Sequence, residues 1–262
     1  MSEQSHRSDP RILNRRTLER DHRRLLDLLR PGMAVLDVGC GTGAITAGIA
    51  RVAGSNGAVT GVDRDETLLE IARNQYRSIP NLRFEKHDAR SLPFESCFDV
   101  ANAARMLQWV SRPGEVIASM KKALKPCGRL VALDYNHEDN SWKPQPPSEF
   151  RRFYDAFLAW RKLNEWDNRM ADHLPGLFRS EGLESVESFP DDQIASRVDP
   201  DFPNASVLWI EVIQSVGPQI VTDGFLREQE RSDAECQYRD WAENRLKEQV
   251  LCMRTVIGWG RP

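Results

Sequence analysis

The chain lacks the cysteine pattern of a disulfide-stapled scaffold or a zinc site. Its five cysteines are odd in number, are scattered between Cys40 and Cys252, and form no C-x-x-C pair. Such usage is typical of reduced thiols in the cytoplasm. The sequence therefore argues against a small secreted protein, and we expect a cytoplasmic one.

Long apolar runs and blocks of basic charge are also absent. No apolar run approaches the length that spans a bilayer, so we expect no membrane span. Residues 1–16 are polar and lack the apolar region of a secretory signal, which again predicts a cytoplasmic protein. The formal net charge is −3 and no basic stripe occurs, so we expect no nucleic-acid partner.

The remaining composition is that of an ordinary globular protein. The chain has 262 residues, of which 40% are hydrophobic and 29% charged, enough to bury a sizeable core. Strand-like and helix-like segments alternate from residue 30 to 135, which predicts an α/β fold with a parallel sheet and helices on both faces. We expect one domain over 1–262, an amphipathic helix at 11–29, and a last strand at 246–260.

The alternation breaks after Tyr135. Two mainly helical segments, 136–175 and 200–245, interrupt the pattern, which resumes between them with a strand that begins near Glu184. The first segment places aromatic side chains on one helix face: Phe150, Phe153, Tyr154, Phe157 and Trp160. These rings either pack the helix onto the rest of the protein or line a pocket.

A glycine-rich loop follows the first strand, in VLDVGCGTG. A P-loop is excluded because no lysine follows Gly43. A dinucleotide-binding loop stays open, since Gly39-x-Gly41-x-x-Ala44 satisfies G-x-G-x-x-G/A and Asp63 lies 20 positions after Gly43.

Two further carboxylates argue for a different ligand. Asp37, at the end of the first strand, would repel a pyrophosphate at short range but would attract an ammonium group. Asp88, after the third strand, can accept a hydrogen bond from an exocyclic amine such as adenine N6. The loop is thus predicted to bind a cationic ligand rather than a phosphate.

Four motifs in this order resemble those of the class I S-adenosylmethionine-dependent methyltransferases, in particular the ubiquinone/menaquinone-biosynthesis-like branch. They are VLDVGCGTG, GVDRDETLLEIAR, HDARSLPFESCFDV and LKPCGRLVALD, the last with Cys127 where the family usually has glycine. The resemblance is strong from Arg30 to Tyr135. It implies a Rossmann-like, seven-stranded, mostly parallel sheet with an antiparallel last strand, a cofactor-binding core at 30–135, and helical lid insertions at 136–175 and 200–245.

The same resemblance implies S-adenosyl-L-methionine as cofactor and S-adenosyl-L-homocysteine as product. Carried over residue by residue, it assigns the methionine end to Asp37, Gly39, Cys40 and Gly41, the ribose to Asp63, the adenine to Arg64, Asp88 and Ala89, and the surroundings of the transferred methyl to Asn102. Each assignment has a structural alternative. Asp37 could be a satisfied strand-end carboxylate, and Asp63 and Asp88 could be helix caps or loop acids. Asn102 could be a turn residue, and Cys40 could be a loop filler.

No catalytic residue is identified from the sequence, and the weak candidates are His137 and Asn102. His137 could deprotonate an acceptor or could be a solvated loop histidine. Asp134, His137 and Asp139 match no metal-site spacing, so we expect no metal. Gln108 replaces the histidine that the family carries after its fourth strand, and it cannot act as a base.

We therefore expect methyl transfer to a small, apolar or aromatic molecule, since a lid disfavours a protein or nucleic-acid acceptor. A base is not required in general, because the sulfonium drives the reaction and the protein mainly positions the reactants. The alternatives are an NAD(P)-dependent oxidoreductase, which would need a second dinucleotide-binding half, and a non-catalytic module that binds the cofactor. The oligomeric state is not predicted.

Overall fold

The structure is a computed structural model that describes residues 9–260. Its strands are β1 Ala34–Val38, β2 Ala58–Asp63, β3 Leu82–Lys86, β4 Phe98–Ala104, β5 Leu124–Tyr135, β6 Ser141–Lys143, β7 Glu184–Pro190, β8 Gln193–Ser196, β9 Glu248–Leu251 and β10 Met253–Trp259. Its helices are α1 Pro10–Asn14, α2 Leu18–Asp21, α3 Arg23–Leu28, α4 Ala44–Ala53, α5 Glu66–Tyr76, α6 Pro113–Ala123, α7 Ser148–Leu163, α8 Met170–Ser180, α9 Phe202–Ser206, α10 Leu208–Thr222 and α11 Glu228–Asn244. Within the described range, no helix has the length and apolar character needed to cross a bilayer.

The chain divides into two compact units. The core unit contains described residues 9–134, 170–191 and 254–260, and the insert unit contains Tyr135–Arg169 and Asp192–Met253. Of the predicted insertion boundaries, 136–175 and 200–245, only the first is close, because the insert unit ends its first segment at Arg169 and runs from Asp192 to Met253 in its second. Residues 170–175 begin α8, whose Met170, Leu174 and Phe178 are buried in the core unit.

The core unit is built on a seven-stranded sheet in the order β3-β2-β1-β4-β5-β10-β7. The pairs β1–β2, β1–β4, β2–β3 and β4–β5 are parallel, and β10 runs antiparallel to β7. This confirms the predicted Rossmann-like, mostly parallel sheet. The strand order reverses at β1 and β4, and the carboxyl ends of strands at such a point form the usual ligand crevice of an open α/β sheet.

Helices cover both faces of this sheet, as predicted. Side chains of consecutive β1 residues enter different apolar clusters, because neighbouring side chains on a strand point to opposite faces. Leu36 packs in a cluster with Val116 of α6, whereas Val35 packs in another with Ile49 of α4 and Leu25 of α3. The two clusters hold the carboxyl end of β1 in place from both sides.

The prediction of one helix at 11–29 is wrong, because the segment forms three short helices. The Thr17 hydroxyl accepts a hydrogen bond from the Arg20 N–H, and the Thr17 N–H donates to the Asp21 carboxylate at 2.7 Å. This local capping starts α2 inside the expected helix. His22 then leaves the helical conformation, with φ −155° and ψ 55°, between α2 and α3.

The predicted last strand at 246–260 is also wrong, because it is two strands in two different sheets. Within the insert unit, Cys252 separates them: its N–H donates to Asn140 Oδ1 at 2.7 Å and its carbonyl accepts from the Asn136 N–H at 2.8 Å. β9 joins a three-stranded antiparallel sheet in the order β6-β9-β8. Neither this sheet nor its short strands β6 and β8 is predicted from the sequence.

The insert unit has an aromatic core of its own. All five aromatic residues on the predicted face of α7 are buried, and their neighbours include Trp142, Trp209 and Tyr238. The Gln249 side-chain oxygen accepts hydrogen bonds from Trp142 Nε1 and the Tyr238 hydroxyl, both at 3.1 Å. The α7 rings therefore pack this unit, in line with the packing interpretation.

Candidate functional site

The glycine-rich loop lies at the carboxyl end of β1, where the strand order reverses. Gly39, Gly41 and Gly43 all have left-handed φ values, 74°, 54° and 78°, which favour glycine. A Cβ at Gly39 would collide with Met106, and one at Gly41 would collide with Leu13. The glycines thus let two of the chain's own side chains approach the loop backbone closely.

Asp63, at the end of β2, holds this loop from one side. Its Oδ2 accepts from the Gly41 N–H at 2.9 Å, and its Oδ1 accepts from the Asp65 N–H at 3.0 Å. The cap of α5 is Asp65, whose side chain accepts from the Thr67 and Leu68 N–H groups. The helix-cap alternative for Asp63 is therefore wrong, and its half-buried carboxylate supports the loop.

Asp37 lies beneath the loop and is only 3% exposed. Its Oδ2 accepts from the Thr46 hydroxyl at 2.6 Å and its Oδ1 from Asn102 Nδ2 at 2.7 Å. Burial, with a smaller contribution from the nearby charge of Asp63, raises the pKa of Asp37 to about 6 against the lowering effect of these two hydrogen bonds. Because its carboxylate is almost completely buried, Asp37 can act on a ligand mainly through its charge.

Asn102 is fully buried within β4, in register with Asp37 of β1, so the turn alternative is wrong. Its Nδ2 donates to Asp37, and its Oδ1 lies 2.8 Å from Nε2 of His22. The residue joins the loop to the segment between α2 and α3. Its predicted place near a transferred methyl remains a prediction.

The adenine candidates lie after β2 and β3. Asp88 caps the short 3₁₀ helix Ala89–Ser91 by accepting from the Arg90 N–H at 2.9 Å, which matches the cap alternative. The Arg90 guanidinium, 2.8 Å away, holds the pKa of Asp88 below its usual range, and Arg64 adds to this effect. Asp88 and Arg64 are exposed and Ala89 is half-buried, so all three remain candidates for a ligand.

Cys40 is a packing residue of the loop. It packs against the small cluster of Leu69, Ala72 and Phe84. Burial raises the pKa of its thiol, and the carboxylates of Asp63 and Asp37 raise it further. A thiol held in the neutral form is a poor nucleophile, which agrees with the loop-filler interpretation.

His137 is buried in the insert unit, so the solvated-loop alternative is wrong. Its ring stacks on Tyr135 at a centroid distance of 5.0 Å and meets the edge of Phe157 at 5.5 Å. Burial lowers the pKa of His137 well below its usual range, with a further contribution from Arg161. The imidazole is therefore neutral at physiological pH and is a weak base.

The remaining acidic candidates for a metal site have other partners. Asp134 Oδ2 accepts from the Gln108 N–H at 3.0 Å, and Asp139 Oδ2 accepts from Asn136 Nδ2 at 2.8 Å. Across residues 9–260, no group of three or more His, Cys, Asp or Glu side chains is placed to hold a metal ion.

Three residues of this site are not predicted from the sequence. Thr46 and His22 complete the hydrogen bonds around Asp37 and Asn102. Thr42, inside the loop, is 1% exposed, and its hydroxyl has no hydrogen-bond partner among the described residues. The loop motif could have drawn attention to Thr42 and Thr46, but no local pattern marks His22.

The strand order places a glycine-rich loop at the carboxyl end of β1, and carboxylates lie at or just after the ends of β1, β2 and β3. Together these features define the class of Rossmann-like proteins with a nucleotide-binding site. The profile of a family described as "Methyltransferase domain" matches residues 29–171, which is more than half of the chain. The chain belongs to this family. The resemblance to class I S-adenosylmethionine-dependent methyltransferases, inferred from the four motifs, is thereby confirmed.

Similarity to a curated relative supports this assignment. The chain is 33% identical, over 168 residues, to the ubiquinone/menaquinone biosynthesis C-methyltransferase UbiE of Shewanella pealeana, and the match covers 62% of each chain. It therefore spans less than two thirds of that relative's length.

Solved structures show the same fold at low sequence identity. The YcgJ protein of Bacillus subtilis matches with a TM-score of 0.59 and 16% identity, over 91% of this chain and 96% of that one. A phosphoethanolamine N-methyltransferase of Haemonchus contortus, in complex with S-adenosylhomocysteine, matches with a TM-score of 0.54 and 15% identity, over 89% of this chain and 50% of that one. At these identities the likeness concerns the fold alone.

Proposed function

We propose that this protein transfers a methyl group from S-adenosylmethionine to a small-molecule acceptor. The observation that carries the proposal is the carboxylate of Asp63, hydrogen-bonded to the Gly41 amide of a glycine loop at the switch point of a methyltransferase-family sheet. A carboxylate there offers acceptor oxygens suited to the two hydroxyls of a ribose.

Two features of the core unit support a fit for S-adenosylmethionine. The buried Thr42 hydroxyl lacks a partner among the described residues and lies in the loop that would meet the methionine end. Asp37 places a titratable carboxylate beneath that loop, where negative charge favours an ammonium group. On this proposal Asp63 binds the ribose, and Arg64, Asp88 and Ala89 surround the adenine. The cofactor supplies a methyl group on a sulfonium.

The protein's own part in this chemistry is to position and desolvate the reactants. Orientation of this kind can contribute about 7–11 kcal/mol to a reaction between two molecules. The candidates for a base are poor, since His137 is buried and neutral and Gln108 cannot accept a proton in this role. We therefore expect an acceptor atom that is already nucleophilic, or one whose proton leaves readily.

For the acceptor class we favour a hydroxylated aromatic or quinone-like molecule. Support comes from the relatives named as ubiquinone/menaquinone biosynthesis C-methyltransferases, at about 33% identity. The aromatic face of α7 no longer supports this choice, because its five rings are buried within the insert unit. C-methylation is the corresponding proposal for the reaction type.

The oxidoreductase alternative has less support. It needs a second dinucleotide-binding half after β4, whereas in the described residues the sheet continues from β4 through β5 and β10 to β7. A non-catalytic module that binds the cofactor differs from our proposal only in turnover, so an activity experiment must separate the two.

The test is incubation of the purified chain with S-adenosylmethionine and a panel of quinol-like phenols, amines and thiols, followed by mass spectrometry. We expect one quinol-like acceptor to gain one methyl group, with an equal amount of S-adenosylhomocysteine formed. Cofactor binding without product above the enzyme-free rate, for any acceptor class, would contradict the proposal and favour the non-catalytic module.

A further inference from the structure

A line of buried hydrogen bonds leads from the N-terminal segment to the glycine loop. Nε2 of His22 lies 2.8 Å from Oδ1 of Asn102, and Nδ2 of Asn102 lies 2.7 Å from Oδ1 of Asp37. The Thr46 hydroxyl closes the line on the other oxygen of Asp37 at 2.6 Å. His22, Asn102 and Thr46 are fully buried, and Asp37 is 3% exposed.

The chemistry of the partners fixes the direction of these bonds. The carboxylate of Asp37 only accepts hydrogen bonds when it is ionised, so the Asn102 NH₂ group must face it. The amide oxygen of Asn102 then faces His22, and the imidazole must carry its proton on Nε2 to donate to that oxygen. His22 is thereby the donor that sets the orientation of the Asn102 amide.

Packing alone does not account for a histidine at this position. Nδ1 of His22 is buried and has no hydrogen-bond partner in the described residues, which is unfavourable for a polar atom. Burial also lowers the pKa of His22 to about 3, with a contribution from Arg105, so the ring stays neutral. An apolar side chain would fill the space without these penalties, but it would leave the Asn102 oxygen without its donor.

We propose that His22 is a positioning residue of the cofactor site: its Nε2–H fixes the Asn102 amide, which in turn orients the Asp37 carboxylate beneath the glycine loop. This inference rests on the proposed function, because it takes the ammonium group of S-adenosylmethionine as the ligand that Asp37 attracts. Loss of the His22 donor lets the amide turn, and a turned amide presents its oxygen to the carboxylate.

The N-terminal segment has other anchors, so a change at His22 should leave it docked. The Arg105 guanidinium donates to the Asp21 carbonyl at 3.0 Å, and Leu18 packs against Gly48 of α4. These contacts involve neither Asn102 nor Asp37. A role limited to anchoring the segment would therefore predict only a small effect of His22 on the loop.

Charged and titratable groups near the hydrogen bonds from His22 to Asp37 contribute to any measured pH dependence of binding. Asp63 and the Cys40 thiol lie near Asp37, whereas Arg105 and Asp21 lie near His22. Burial and the nearby carboxylates raise the pKa of the Cys40 thiol, so it stays neutral through the acid range. Asp37 is thus the group expected to dominate a cofactor-binding transition near its own pKa.

The test compares His22→Leu, which removes the donor, with His22→Gln, which keeps an N–H donor on a polar side chain. S-adenosylmethionine binding is measured by calorimetry across the pH range around the pKa of Asp37. We expect His22→Leu to weaken binding about tenfold and to move the binding transition to higher pH, because Asp37 loses a hydrogen bond from a fixed amide. His22→Gln should retain most of the affinity and the wild-type transition.

Several outcomes would overturn the inference. Unchanged affinity and pH profile in a folded His22→Leu variant would do so, as would equal weakening in both variants with no movement of the transition. The tautomer of His22, read from imidazole nitrogen chemical shifts in the ligand-free wild type, needs no variant to fold. A proton on Nδ1 contradicts the inference, whereas failure of the wild type to bind the cofactor contradicts the proposed function instead.

Discussion

At the scale of single residues, two carboxylates at the same loop have different surroundings. Asp63 is half-buried and accepts one hydrogen bond from a backbone N–H group on each oxygen, so its carboxylate keeps further acceptor capacity. Asp37 is only 3% exposed beneath the loop, where the side chains of Thr46 and Asn102 donate to its two oxygens, so a ligand has little direct access to it. We therefore expect Asp63 to bind by direct hydrogen bonds and Asp37 to act through its charge.

The change Asp63→Ala should weaken S-adenosylmethionine binding by about tenfold to a hundredfold, because hydrogen bonds from the ribose to a charged acceptor are lost. Calorimetry measures the affinity, and circular dichroism checks the fold. Asp65→Ala is the matched control, since it removes the cap of α5 two residues away. That control should cost about 1 kcal/mol of stability and leave the affinity unchanged. Equal affinities for Asp63→Ala and the wild type would contradict the ribose assignment.

The pH dependence of cofactor binding should follow Asp37. Its pKa is raised from 3.8 to about 6, so the carboxyl is largely protonated below that pH in the folded protein. Binding of a cationic ligand should therefore strengthen as the pH rises through about 6. Asp37→Asn should flatten this dependence, and an unchanged profile in that variant would contradict the assignment.

The same shift has the opposite effect on stability. The pKa of Asp37 in the folded state lies above its unfolded value of 3.8. Between pH 3.8 and about 6, the folded protein therefore keeps a proton on Asp37 that the unfolded chain has largely lost. The contribution of Asp37 to stability is therefore lost as the pH rises through that window. In the Asp37→Asn variant, the free energy of unfolding should not show this decrease with rising pH. Denaturation of both proteins at several pH values measures the difference.

The sequence predicts the acidic residues of the site because they occur in ordered motifs next to strand ends. It does not predict His22, whose partner Asn102 is 80 residues away along the chain. It also does not predict that Met106 and Leu13 lie against the loop glycines, since only the folded chain brings them together. Contacts between distant segments leave no local pattern to read.

At the scale of elements, the contact between α2 and α4 depends on a glycine. A Cβ at Gly48 of α4 would lie 2.7 Å from the Leu18 Cβ, closer than carbon atoms pack. Helical propensity alone favours alanine over glycine by about 1 kcal/mol, so the glycine is retained against propensity. The close approach of α2 explains its presence.

The change Gly48→Ala should accordingly destabilise the protein by about 1–3 kcal/mol, as overpacking does. Gly176→Ala, inside α8, is the matched control because a Cβ there meets nothing within 4 Å. We expect the control to stabilise by about 0.5–1 kcal/mol. Urea denaturation measures both, and a stabilising Gly48→Ala would show that α2 does not pack there as described.

The elements of the core unit are well predicted because buried strands such as β1 and β4 give apolar runs between clear turns. The three-residue strand β6 lies in a proline-rich stretch and gives no such run. The break at Cys252 is set by hydrogen bonds to Asn136 and Asn140, more than a hundred residues earlier. These elements depend on distant partners and cannot be predicted from local periodicity.

At the scale of the whole molecule, the four motifs and the proposed cofactor residues lie within the core unit. The insert unit packs around its own aromatic residues and its own small sheet. The methyl donor is thus the better defined half of the proposed reaction. The acceptor depends on relatives that the chain matches over 62% of its length.

The most direct test of the account is calorimetric titration of the purified wild-type chain with S-adenosylmethionine and, separately, with NADH. We predict saturable binding of S-adenosylmethionine with one site per chain, abolished or strongly weakened in Asp63→Ala, and no binding of NADH at the same concentrations. Saturable binding of NADH without binding of S-adenosylmethionine would contradict the account.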